Sequence, residues 1–221
     1  MDLFPLYLSA KLALITTVLL LILAAPVAYF LVYVRFPGKP LIEALIGLPL
    51  VMPPTVLGFY LLVILGPKGI LGRLWQEITG QPLIFTFPGI VLASLIYSFP
   101  FAVQPLKTAF EKIDRRLLEV AYVLGCSPFM TFFKVIVPNA LNGVAASAIL
   151  AFAHTMGEFG VVLMVGGSIP GKTRVASIAI YEYVESLRYR EAGLLSLALV
   201  MISYLVLLTV NFLNRRGNHG S

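Results

Sequence analysis

The chain has 221 residues, 59% of them hydrophobic and 12% charged, with a mean hydropathy of +0.95 and a net charge of +6. A soluble domain averages about 25% charged residues. The composition therefore excludes an ordinary soluble protein, and runs of roughly 20 apolar residues mark an all-α integral membrane protein. The single cysteine, Cys126, excludes an intrachain disulfide. The basic residues gather in the loops between apolar runs, where they set orientation and do not suggest nucleic acid.

The first apolar run, about Leu6 to Val34, is too long for a signal peptide and reads as a retained span. Lys11 can snorkel at its start, Pro26 should kink it, and Ala24 and Ala28 permit close helix packing. A short basic turn, Arg35-Phe-Pro-Gly-Lys39, follows. The second span, about Leu41 to Leu65, carries Pro49, Pro53 and Pro54. Each proline frees a backbone carbonyl that lipid cannot satisfy, so this helix should be broken and packed within protein or along a cavity. Residues 66–86 read as a polar connection with Trp75 at the interface, and the third span covers about Phe87 to Leu106.

Two short helices are then expected. Asp114 is a good N-cap for a helix placing Leu117, Leu118, Ala121 and Leu124 on one face, and Gly125 can end it in the left-handed conformation. Ser127 and Pro128 suit the cap and first position of the next, with Phe129, Phe132, Phe133 and Ile136 at helical spacing. Pro138 should close that helix and start the fourth span, which runs to about Met156. Along it Gly143, Ser147, Ala151 and Thr155 form a stripe of small residues. That stripe fits a contact between subunits or, more simply, packing within one. Beyond it, Val161 to Val165 is too short to span, Ile169 to Lys172 reads as a turn and Ser177 to Leu187 as a short helix. The last span runs from about Ala192 to Leu213, and residues 217–221 form a flexible tail to a single domain of residues 1–216.

With about five spans, Arg35, Lys39, Lys107, Lys112, Arg115, Arg116, Lys134, Arg215 and Arg216 share one side. The other side has fewer basic residues, so the excess puts the N-terminus outside and the loop between spans three and four in the cytoplasm.

Glu119, Ala121, Gly125, Val135, Val137 and Pro138 are spaced as in the EAA loop of ABC importer permeases, a Glu-Ala-Ala, a glycine and then Ile-x-Leu-Pro. Val120, Val135 and Val137 are conservative departures. The chain resembles that family. The resemblance implies that residues of about 110–138 form a cytoplasmic coupling helix-turn-helix that docks into an ATPase subunit. The segments Leu48 to Pro54, Gly157-Glu158-Phe159-Gly160 and Ile169-Pro-Gly171 are similar to those of the molybdate, tungstate and sulfate branch, and the last favours molybdate. The implied assembly is a homodimer with two ATPase subunits, which hold the ATP and magnesium, and an external oxyanion-binding protein. No cofactor or metal is expected in this chain.

Pro53, Pro54, Glu158, Phe159 and Gly160 are the pathway or gate candidates on this resemblance. Glu158 reads as a structural carboxylate bonded to backbone donors of the broken second helix, since an anion path should not present a bare carboxylate to its cargo. A plain interfacial glutamate is the alternative. Gly166 to Thr173 fits the phosphate-loop pattern G-x-x-x-x-G-K-T, but no strand–helix alternation surrounds it and neither aspartate, Asp2 or Asp114, is placed to hold magnesium. His154 and Glu158 stand four apart without a third metal ligand, and no catalytic triad can be assembled. The expected function is a molybdate permease and not an enzyme. A sulfate or thiosulfate permease and a secondary anion carrier are the alternatives. The carrier would need inverted repeats, and a membrane-embedded transferase would need clustered polar residues.

Overall fold

In hydrocarbon, backbone N–H and C=O groups find partners only within the chain, which drives long apolar runs into helix. The computed structural model describes residues 2–217, with side chains placed through Leu208. It is helical throughout, with no strand among the described residues. In order the helices are α1 (Phe4–Tyr33), α2 (Lys39–Val51), α3 (Pro54–Leu65), α4 (Ile70–Thr79) and α5 (Phe87–Glu111). Next come α6 (Arg115–Val123), α7 (Pro128–Thr131), a π-helical turn (Phe132–Ile136) and α8 (Val137–Asn139). The chain ends with α9 (Leu141–Gly157), α10 (Gly160–Gly166), α11 (Ala176–Glu185) and α12 (Tyr189–Gly217). Of the expected tail, 218–221 lie outside the described residues.

Among the described residues three helices are long and apolar enough to cross a bilayer alone, and two bent pairs bring the total to as many as five. The bends are the expected break between α2 and α3, at 112°, and a 78° bend between α8 and α9. The prolines explain the first: Pro53 and Pro54 follow the last residue of α2, and α3 restarts on Pro54 at a position where a missing N–H costs nothing.

The core is a bundle of α1, α5 and α9. A bilayer supplies no hydrophobic drive between helices, so close packing of small residues must do the work. Ala24 and Ala28 of α1, Ala102 of α5 and Ala151 of α9 are all fully buried here. Gly143 is held against Ala109, where a methyl group would come within 2.1 Å of the alanine Cβ. Ser147 donates to the Ala102 carbonyl at 2.8 Å. Such interhelical bonds average about 0.6 kcal/mol, so the bundle rests on many weak contacts. The small-residue stripe of α9 is thus spent within one chain.

α9 and α10 together run antiparallel to the whole of α5. Gly143 lies beside Ala109, Ser147 bonds Ala102, Glu158 bonds Ser94, and Gly166 packs on Ile90. Residues 157–166 therefore complete the fourth crossing. α3 clasps α10 from the other side, with Gly58 against Met164. α12 attaches chiefly through α11 and α9.

The second span departs from expectation in one respect. α3 buries Leu57, Gly58, Leu61 and Leu65, but α2 buries no residue within the chain. A part-buried ion pair, Lys107 Nζ to Glu43 at 2.6 Å, ties α2 to α5. The segment expected as a loop, residues 66–86, contains the amphipathic α4, whose Trp75 packs against a buried cluster that includes Leu65 and Leu83.

Candidate functional site

Two places gather the residues singled out by sequence. The first is the α6–α8 unit. Asp114 caps α6 by accepting from Arg116 N at 2.9 Å, and Ser127 caps α7 by accepting from Met130 N at 3.3 Å. Between them Gly125 has φ +81°, the left-handed region that favours glycine, and Cys126 N donates to the Ala121 carbonyl at 2.9 Å. Leu118 and Ile136 pack in one cluster with Phe110 and Ile113, and Ala121 is buried as well.

The four residues expected on one face of α6 divide: Leu118 and Ala121 are buried, and Leu117 and Leu124 are exposed. Leu124 is 77% exposed, Val123 87% and Phe129 75%, so the turn between α6 and α7 is a bare apolar tip. Arg115, Arg116 and Glu119 are exposed on the same unit. Of the four residues at helical spacing in the second helix, Phe129 and Phe133 are exposed, while Phe132 and Ile136 pack inward.

Pro138 does not close the second helix. Phe132–Ile136 takes the wider π turn, which accommodates the proline ring, and the helical run continues through Asn139. The Asn139 amide donates to the Val135 carbonyl at 2.7 Å, and the break falls at Ala140. Val135 and Val137 are half-buried at this bend, and Pro138 is exposed.

The second place is the junction of α9 and α10. The Glu158 side chain is 1% exposed. Ser94 donates to its Oε2 at 2.5 Å and Ser98 donates to its Oε1. Ser98 Oγ also lies 2.9 Å from Thr155 Oγ1 and from His154 Nδ1, which is itself 3.4 Å from Glu158 Oε1. Ser177 of α11 donates to the Glu158 carbonyl at 2.5 Å. The expected partners of Glu158 were backbone donors of the second span; the donors are instead α5 hydroxyls, because α9 lies along α5. The carboxylate is thereby enclosed within the protein.

Of the five gate candidates, Pro54 and Gly160 meet across the two breaks. A methyl group on Gly160 would lie 3.0 Å from Pro54 Cβ, so the α9–α10 break abuts the α2–α3 break. Pro53 and Pro54 are exposed, and Phe159 packs against Tyr181 with ring centroids 5.1 Å apart. The Tyr181 hydroxyl donates to Glu185 at 2.6 Å, and that bond pushes the phenol above its ordinary pKa.

The phosphate-loop look-alike is a folded turn. The Thr173 hydroxyl is fully buried, donates to the Gly166 carbonyl at 2.7 Å and accepts from Ile169 N at 3.1 Å. No group of three or more potential metal ligands occurs among the described residues.

Residues 18–216 match the family described as binding-protein-dependent transport system inner membrane component. The chain belongs to that family. Among relatives, it is 52% identical over 206 residues to the molybdenum transport system permease protein ModB of Azotobacter vinelandii, covering 93% of this chain and 91% of that one. It is 37% identical over 184 residues to the protein of the same name from Escherichia coli K12, covering 81% and 80%. These bear out the molybdate-permease resemblance. A bacterial alginate ABC transporter, solved with an alginate pentasaccharide-bound periplasmic protein, has a chain of the same fold. Its TM-score is 0.72 at 18% identity, covering 96% of this chain and 76% of that one. A multi-pass membrane protein of this permease family is thus established.

Proposed function

We propose that the chain is the membrane-spanning subunit of an ATP-driven importer that moves molybdate, and tungstate with it, across a prokaryotic inner membrane. The observation that carries this reading is the likeness to the Azotobacter molybdenum permease over nearly the full length of both chains. Two copies form the path. Two cytoplasmic ATPase subunits, holding ATP and magnesium, sit below, and an external binding protein delivers the oxyanion. The N-terminus lies outside, with the α6–α8 unit and the C-terminus in the cytoplasm.

In this reading the exposed tip from Val123 to Phe129 enters the ATPase cleft. Leu118 and Ile136 transmit its displacement to the bundle, because they are packed into it. Glu119, Ala121, Gly125, Val135, Val137 and Pro138 set the shape of the tip and its junction with α9. Pro53, Pro54, Phe159 and Gly160 act where two broken crossings touch, a place where a small change of bend opens or closes a path. Glu158 supports that junction from inside.

The test is molybdate uptake by cells expressing the permease with its neighbouring ATPase and binding protein, in the presence of excess tungstate or sulfate. Block by tungstate and not sulfate supports the assignment. Block by sulfate moves the chain to sulfate transport. Uptake that persists without the ATPase overturns the coupling.

A further inference from the structure

His154 is held with unusual care for a residue in a membrane span. Its ring stacks on Phe101 at 3.9 Å between centroids and meets Tyr97 edge-on at 4.7 Å. Its Nδ1 faces the Ser98 hydroxyl and the Glu158 carboxylate. Its Nε2 has no partner among the described residues, and the side chain is 20% exposed. Tyr97 follows Phe87 by ten residues and Phe101 precedes Glu111 by ten, so the imidazole sits halfway along α5.

The same face of α5 is polar. Tyr97, Phe101, Gln104 and Thr108 recur at helical spacing, and Gln104 and Thr108 are exposed without a side-chain partner among the described residues. Lipid does not satisfy an amide or an imidazole, and polar side chains at this depth face water or cargo. Nδ1 is turned toward Ser98 and Glu158, which leaves Nε2 as the ring nitrogen that points outward. An amide and a hydroxyl follow one and two turns along the face. An oxyanion has acceptors only, and passage requires several modest contacts in succession.

We propose that the Nε2 edge of His154, with the Gln104 amide and the Thr108 hydroxyl, forms the oxyanion-contacting strip of the path. This rests on the reading of the chain as an oxyanion permease. Glu158, Ser98 and the two aromatic rings are positioning residues: they fix the ring and leave its outer edge to the anion. Glu158 and Tyr97 are the titratable side chains in contact with the ring.

The experiment uses the full complex of permease, ATPase and binding protein in liposomes, with His154→Leu, His154→Arg and Gln104→Leu. The expected result for H154L and Q104L is molybdate uptake lowered about tenfold or more, with ATP hydrolysis stimulated by the loaded binding protein retained. H154R, which keeps an outward N–H donor, retains most of the uptake. Wild-type uptake in both H154L and Q104L overturns the strip. A second measurement needs no turnover. The chain has only two histidines, so ¹⁵N-histidine NMR in nanodiscs, with His219→Ala for assignment, isolates His154. Molybdate should move the His154 Nε2 resonance where chloride does not, and an unmoved resonance at saturating molybdate overturns the proposal. A wild-type complex that carries no oxyanion refutes the transport reading, and the NMR titration still decides the strip.

Discussion

Gly160 and Pro54 touch at the place where two crossings are interrupted: a methyl group added to the glycine would stand 3.0 Å from the proline Cβ. Neither residue is near the other in sequence, and neither break would by itself require a small residue. The contact makes the two bends mechanically dependent.

Gly160→Val should therefore destabilise the protein by about 1–3 kcal/mol, the usual range for overpacking. Gly157→Val is the control, because nothing lies within 4 Å of a methyl group there. Thermal unfolding in detergent should separate the two; equal melting temperatures would mean that α3 yields freely to α10.

Glu158→Leu leaves the Ser94 hydroxyl facing an apolar side chain, whereas Ser98 still has Thr155 and His154 at 2.9 Å. An orphaned group costs about 1–3 kcal/mol. Adding Ser94→Ala to Glu158→Leu should restore part of the loss, since removing both partners is cheaper than removing one. Purely additive melting shifts would show that the Ser94 hydroxyl finds another partner.

Gly125→Glu should stop uptake while the protein still reaches the membrane. The φ of +81° costs an L-residue about 1–2 kcal/mol, too little to prevent folding, and a methyl group there meets nothing within 4 Å. A bulky residue at Ala121 should act similarly, through the packed side of α6. Normal uptake by a Gly125→Glu variant present at wild-type level would refute the docking role.

Leu124→Asp and Ile136→Asp should divide folding from coupling. Leu124 is 77% exposed and Ile136 fully buried. The first should keep the wild-type melting temperature and lose co-purification with the ATPase. The second should be lost from the membrane, because an unpaired charge in the core is not tolerated.

The spans, the caps at Asp114 and Ser127, the left-handed Gly125 and the interrupted second crossing were legible because each is written locally, in a run of apolar letters or a residue with one physical use. What was not legible depends on neighbours distant in sequence. Glu158 is matched by hydroxyls of Ser94 and Ser98 some 60 positions away, and only the antiparallel course of α9 along α5 reveals it. Leu117 and Leu124 have the spacing of a buried face but no second layer to bury them. The helix α4 buries only Gly72 and reads as a loop by composition. The π turn has no letter of its own; Pro138 was the visible sign of it, and it displaced the bend to Ala140. The pairing of Pro54 with Gly160 shows the limit from the other side: both residues were singled out, and what joined them was not.

The final helix carries one more consequence. Only 11% of its apolar window is buried inside the protein, against 56% for α5. Where its outer side chains meet acyl chains instead of fixed neighbours, liquid hydrocarbon accepts any apolar shape. Such positions between Tyr189 and Leu208 are free to exchange among Leu, Ile, Val and Met over evolutionary time. The α5 face that meets α1 and α9 has no such licence, and divergence between related permeases should accumulate on the outside of the last crossing first.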